Sequence, residues 1–166
     1  MFNVGDMIIY STHGLCKIDD ICEKKFRDKE RTYYVMHPVK DPNLTISAPV
    51  EDNQTNMWTV MNKEEAKEIL HSFQFPGVEW IDNARERNKK YTSYVHTGNR
   101  QKISNILNTL MKREIKAKEN GHKVSDLDHK LLESVQNIMF SELAVSLDTT
   151  YEEIASKVNN MIRQTV

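Results

Sequence analysis

Near residue 61 the apolar residues of this chain change their spacing, and that change limits the fold more than any other feature of the sequence. Before it they form short runs at period two between turn residues. After it they recur at intervals of three and four, the repeat of one helix face. One packed layer cannot serve both periods, so the expected fold class is α+β: a β module at 1–61 followed by an all-α module at 62–166. No Gly/Ser-rich linker, internal repeat or low-complexity segment interrupts the chain.

The first module opens with a legible hairpin over residues 4–21, V-G-D-M-I-I-Y-S-T-H-G-L-C-K-I-D-D-I. Met7, Ile9 and Ser11 alternate with Ile8 and Tyr10, Gly14 can take a positive φ at the turn, and Leu15, Ile18 and Ile21 carry the return strand. Further strands are expected over 31–37 (R-T-Y-Y-V-M-H), over 44–48 before Pro49, and over 56–60 around Trp58, with turns at Asp41-Pro42-Asn43 and Glu51-Asp52-Asn53. About five short strands in some 60 residues suit a small bent sheet or SH3-like β-barrel better than a sandwich.

In the second module Asn62 followed by Glu65 reads as a capping box for a helix ending near 72, and Pro76-Gly77 interrupts the chain. A helix is expected over 81–96, with Gly98 as its left-handed C-terminal residue. The next, over 99–118, carries Ile103, Ile106, Leu107, Leu110, Met111 and Ile115 as one stripe, and Asn120-Gly121 ends it. Ser125 with Asp128 starts another, with Leu127, Leu131, Val135, Ile138, Met139 and Leu143 inward. Asp148 or Thr149 is expected to cap the last, whose inward positions are Tyr151, Ile154, Val158, Met161 and Ile162. Short links between helices favour a compact antiparallel helical bundle.

Composition narrows the function. With 39% hydrophobic residues in 166, the chain can build compact cores but has no apolar run near the roughly 20 residues of a spanning helix. Asp6 and Asn3 are wrong for a signal peptide, so a cytoplasmic location is expected. Cys16 and Cys22, six apart on one strand, should face the same side about 20 Å from each other, too far to pair, and read as free buried thiols. The net charge of −1 conceals an asymmetry: residues 80–120 hold ten basic and four acidic side chains, whereas 1–79 hold nine and thirteen. That basic quarter suits a polyanion such as nucleic acid, or is a solvated helical face. His13, Cys16, Cys22 and His37 match no metal-ligand spacing, and there is neither a phosphate-binding Gly-rich loop nor a G-x-S-x-G. No catalytic residue, metal or cofactor is expected.

Trp80 is singled out by position, since it ends the loop sequence F-P-G-V-E and precedes Arg85, Arg87, Lys89 and Lys90. An aromatic ring at the head of a basic helix can wedge against a base while cations hold phosphates, or it can plug an interface between modules.

The N-terminal run resembles the CarD/CdnL family of bacterial transcription regulators, whose pattern is roughly V-G-D-x-V-x-Y-x-x-H-G-x-x-x-I-x-x-I. L-T-I-S-A-P-V at 44–50, Trp80, T-G-N at 97–99 and S-E-L-A at 141–144 extend the resemblance over nearly the whole chain. It implies a Tudor-like first module that pairs a strand edge with the RNA polymerase β subunit; the matching residues are Thr45, Ile46, Ser47 and Ala48, with Tyr34 and Met36 beside them. For Ile46 and Tyr34 simple barrel packing is the competing reading. The second module would contact promoter DNA at the upstream edge of the bubble through Trp80, with Arg85, Arg87, Lys89 and Lys90 on the backbone and Lys130, or else His129, as a further phosphate contact. The implied function is a non-enzymatic regulator that stabilises the open complex, without cofactor or membrane; the alternative is a protein–protein adaptor docking on polymerase or a repair helicase. A monomer is expected, with a domain-swapped dimer as the open alternative. The chain departs from the family in four places. The stretch from Trp80 to Gly98 is about one helical turn longer, so Asp82 and Asn83 fall where a basic residue often stands. T-G-N replaces T/S-G-D, S-D-L-D-H-K at 125–130 replaces S-x-x-E-K, and Ser47 stands where some members carry Arg.

Overall fold

A computed structural model describes residues 1–166, which divide into two compact units, Met1–Val60 and Met61–Val166. The first holds five antiparallel strands: β1 (Met7–Tyr10), β2 (Gly14–Phe26), β3 (Lys29–Pro38), β4 (Ile46–Pro49) and β5 (Met57–Thr59), in the order β4-β3-β2-β1-β5. Hydrogen bonding does not close this sheet into a barrel, so β4 and β5 are its edges. Gly14 takes φ +73° as the β1–β2 hairpin closes at Tyr10↔Gly14. Ile8, Cys16, Ile18, Tyr34, Met36, Ala48 and Met57 form the core of this unit.

A bulge corrects the expectation for the two cysteines. Ile18 pairs Met36 and Asp20 pairs Val35, so Asp19 is an extra residue and the side-chain phase of β2 flips there. Ile21 then packs on the core with Tyr34, and Cys22 falls on the opposite face, half-buried, while Cys16 is fully buried. The pairing of β2 with β1 runs from Gly14 no further than Lys17, and that of β3 with β4 begins only at Tyr33. Residues 23–32 therefore extend as a two-stranded arm, turning through Arg27 and Asp28 at φ 48° and 65° and tied at its base by the Val50 amide, which donates to the Thr32 carbonyl at 3.0 Å.

The second unit is five helices: α1 (Lys63–Ser72), α2 (Ala84–His96), α3 (Arg100–Glu119), α4 (Asp126–Ser146) and α5 (Tyr151–Thr165). The capping box at Asn62 and Glu65 is present, and Ser125 caps α4 by accepting from the Asp128 amide. α2 begins three residues later than its pattern suggested, because Asn83 Oδ1 accepts from the amides of Arg85 and Glu86 and makes Asn83 the cap. Thr150, not Asp148 or Thr149, caps α5; Asp148 takes φ 53° in the turn after α4. Leu127 is 40% exposed on the first turn of α4, while Leu131, Val135, Met139 and Leu143 fill the core with Ile106, Leu107, Ile154, Val158 and Ile162. The wholly buried Glu142 carboxylate accepts from the Met61 amide at 3.0 Å and from Arg100 Nη2 at 2.8 Å, which fixes the chain leading into α1. No helix is long and apolar enough to cross a membrane.

Candidate nucleic-acid and protein-docking sites

The loop over residues 73–83 owes its shape to α3. Phe73 is fully buried where α1 ends, and Asn108 Nδ2 donates to the carbonyls of Phe73 (3.3 Å) and Phe75 (2.8 Å). Thr109 Oγ1 accepts from the Val78 amide at 2.8 Å and donates to the Val78 carbonyl at 3.3 Å. Between these staples lies Gly77, where a Cβ would stand 2.1 Å from Thr109 Oγ1 and 2.6 Å from the Asn105 carbonyl oxygen. Only glycine lets the loop lie so close to the helix.

Trp80 is then clamped from both sides along the backbone. Tyr91 Oη donates to the Glu79 carbonyl at 2.8 Å, and burial raises the Tyr91 pKa, which keeps it a donor. Arg87 Nη1 donates to the carbonyls of Ile81 (2.5 Å) and Asp82 (3.2 Å). The half-buried indole is flanked by two guanidinium groups, Arg87 at 3.9 Å and Arg113 at 4.2 Å from the ring centroid.

Arg87 was expected on a phosphate, and the structure places it inside the unit. It is 4% exposed and bidentate to the buried Asp128, with Nε to Oδ1 at 2.8 Å and Nη2 to Oδ2 at 2.5 Å. Asp128 Oδ2 also accepts from the Ser125 hydroxyl at 2.8 Å. A guanidinium committed to a buried carboxylate and two carbonyls has a positioning role. Arg85, Lys89, Lys90 and Lys130 are exposed. Sequence reasoning did not single out Lys112, Arg113 and Lys116, which line an open depression with Pro76, Gly77, Val78, Trp80 and Thr109. Their signal was there: 109, 112, 113 and 116 lie on one helical face inside the basic quarter. What was not legible is that the Trp80 loop folds over that face. Burial, reinforced by the Lys116 charge, lowers the Lys112 pKa from its ordinary 10.5. A phosphate arriving there would bring an opposite charge that favours the protonated amine and so opposes the shift.

The β4 edge differs from the expected one. Thr45 precedes the strand, and β4 runs from Ile46 to Pro49. Tyr34, Met36 and Ala48 are core residues, at most 3% exposed, so none offers a side chain for docking. Ile46 is half-buried and packs on the same core, while Thr45 and Ser47 are exposed. Ser47 Oγ accepts from Lys24 Nζ at 2.9 Å. β4 pairs with β3 on one side only, from Tyr33↔Pro49 to Met36↔Ile46, and its other side has no partner strand. His13, Cys16, Cys22 and His37 are not brought together; His37 pairs with Asp19 through Nδ1 at 2.6 Å.

Two family models match the chain. Residues 2–61 match the model of the CarD-like/TRCF RID domain, and residues 61–159 match that of the CarD C-terminal domain. The chain is also similar to a Bacillus subtilis (strain 168) protein, YdeB, which carries a provisional transcription-factor name. The two are 29% identical over 157 residues, spanning 94% of this chain and 99% of the relative.

Proposed function

This chain belongs to the CarD family, and from that premise we propose that it regulates transcription by holding RNA polymerase and promoter DNA at once. The sheet unit pairs its β4 edge with a strand of the polymerase β subunit, and because the neighbouring side chains face the core, the main-chain groups of 46–49 carry the recognition. The helical unit presents Trp80 to the upstream edge of the transcription bubble. On this reading its phosphate contacts come from the exposed Arg85, Lys89, Lys90 and Lys130, and from Lys112, Arg113 and Lys116 as well.

The observation that carries this reading is the clamp on Trp80: both flanking carbonyls are held, the loop is stapled to α3, and cations line the depression beside the ring. A ring presented by a rigid loop loses little further conformational freedom on binding. Arg113 is exposed and covers the indole; moving it to a phosphate frees the ring for contact with a base and keeps its charge in use. Docking on polymerase raises the local concentration of this face near the promoter, so weak and largely sequence-independent contacts suffice. The wedge stabilises the open complex only by as much as it binds that state better than the closed one.

The test is open-complex lifetime on several promoters. Trp80→Ala should shorten it while leaving binding to the β subunit unchanged, and an unchanged lifetime would remove the wedge role. Salt-sensitive duplex binding by the full chain, with a shallower salt dependence in Lys112→Ala/Lys116→Ala, distinguishes this reading from a protein–protein adaptor, which would show neither.

A further inference from the structure

Lys112 sits half-buried on α3 in the depression beside the Trp80 loop, with Arg113 next to it in sequence and Lys116 one helical turn on. Residues four apart on a helix are surface neighbours, about 5–6 Å from each other at Cβ. No acid lines the depression: Glu114, the carboxylate between the two lysines in sequence, is turned to Lys118 at 3.6 Å and to His129 at 3.5 Å. The facing wall is the loop over 76–80, held in place by the Thr109 hydroxyl. Burial and the Lys116 charge lower the Lys112 pKa, which enlarges the share of neutral amine near neutral pH. A lysine desolvated next to a second cation is an activated nucleophile, since only the neutral amine attacks a carbonyl. The same neighbouring cations can receive a phosphate.

We infer that Lys112 is a site of covalent acylation by acyl phosphates, small donors in which one bridging oxygen joins the reacting carbonyl to a phosphate. Lys116 and Arg113 receive the phosphate, and the carbonyl carbon is thereby brought to the neighbouring Lys112 amine. The ammonium first gives one proton to water. The nitrogen lone pair then attacks the carbonyl carbon, the N–C bond forms, the C–O bond to the phosphate breaks with its electron pair, and a second proton from nitrogen goes to the departing phosphate. The products are a lysine amide and inorganic phosphate, and nothing is oxidised or reduced. The seated phosphate reverses part of the lowering of the Lys112 pKa, but holding the two reactants together outweighs this, because effective molarities of well-placed groups reach about 10⁵ M and above. A coenzyme A thioester carries its phosphates at the far end of the pantetheine arm from its carbonyl, so the same seat gives it no such advantage. The amide is uncharged, and the depression loses one of its three cations. One phosphate contact fewer on DNA is the consequence, which rests on the nucleic-acid reading proposed above; the acylation itself does not.

The experiment treats the full chain, without DNA, with acetyl phosphate near neutral pH and follows acetylation of each lysine by peptide mass spectrometry at early times. Lys112 should react about fivefold or more faster than the exposed Lys89, Lys90 and Lys130, and excess inorganic phosphate should remove that preference by filling the seat. Equal rates at these lysines overturn the site. The uncharged N-hydroxysuccinimide ester of acetic acid and acetyl-coenzyme A serve as parallel donors; a preference of the same size with either shows that the phosphate seat is not used and overturns the assignment to acyl phosphates. In a second arm the treated native chain should bind duplex DNA more weakly, with a salt dependence shallower by about one phosphate contact. Lys112→Arg has no amine to acylate there, so the same treatment should change its DNA affinity far less than it changes that of the native chain. An equal loss in both places the effective modification on another lysine and overturns the consequence for DNA. If the untreated chain binds no duplex at low salt, the nucleic-acid reading falls, while the Lys112 preference is decided by the first arm alone.

Discussion

Replacing Arg87 by alanine separates a buried positioning group from a phosphate contact. The substitution would leave Asp128, 4% exposed, without its bidentate partner and would strip the donors from the carbonyls of Ile81 and Asp82. Breaking a buried pair by removing one member costs about 3–5 kcal/mol, because the remaining charge is uncompensated. Domains of this size have roughly 5–15 kcal/mol in total, so Arg87→Ala should use up much of the stability of the helical unit. Urea unfolding followed by Trp80 fluorescence in a Trp58→Phe background reports that unit alone; with a slope of about 1–2 kcal/mol per molar, the midpoint should fall by roughly 2 M or more. Arg85→Ala, at an exposed position two residues away, should move the midpoint by less than about 0.5 kcal/mol equivalent. The double replacement Arg87→Met/Asp128→Leu should recover much of the loss, since it removes both charges. An Arg87→Ala protein as stable as native, with weakened DNA binding, would refute the reasoning and return Arg87 to the DNA-contacting surface.

Gly77→Ala should destabilise the helical unit by about 1–3 kcal/mol, because the new methyl meets the Asn105 carbonyl as well as the Thr109 side chain and the helix backbone cannot yield. It should also shorten open-complex lifetime much as Trp80→Ala does, and a native melting temperature would show that the loop does not need its close approach to α3. The two cysteines should differ sharply toward a thiol reagent at pH 8. Burial pushes the Cys16 thiol up to about 11, so roughly one part in a thousand is thiolate there, and Cys22 is partly exposed on the other face. One equivalent should react in the native state and the second only in denaturant; equal rates would contradict the bulge at Asp19. By the same linkage, a thiol whose pKa is higher folded than unfolded stabilises the sheet unit below pH 9.0, and that contribution is lost as pH rises toward about 11.

The features legible in the sequence are those that depend on neighbours along the chain. Period-two and period-three-to-four spacing assign the element types on each side of residue 61. Gly14 is visible as a hairpin turn, and Asn62, Asn99 and Ser125 as helix starts, because a cap or a positive φ is a matter of one residue and the next three. Even there the limits are local: Asn83 outcompetes the apolar Ile81 as the start of α2, and Thr150 outcompetes Asp148, since the side-chain oxygen must reach amides two or three residues on.

What the sequence by itself determined, then, was the kind of element at each position, the concentration of positive charge in residues 80–120 and the prominence of Trp80. Tertiary structure alone decided which of those side chains are available. It turned Arg87 inward onto Asp128, 41 residues away, and laid Gly77 against α3 so that Lys112, Arg113 and Lys116 came to surround the Trp80 loop. It also put Tyr34, Met36 and Ala48 in the core while leaving the outer side of β4 without a partner strand. The physical reason is the same in each case: periodicity records which face of an element is apolar, whereas the partner of a buried charge or the cover over a loop is set by chain segments dozens of residues apart, whose meeting leaves no local trace.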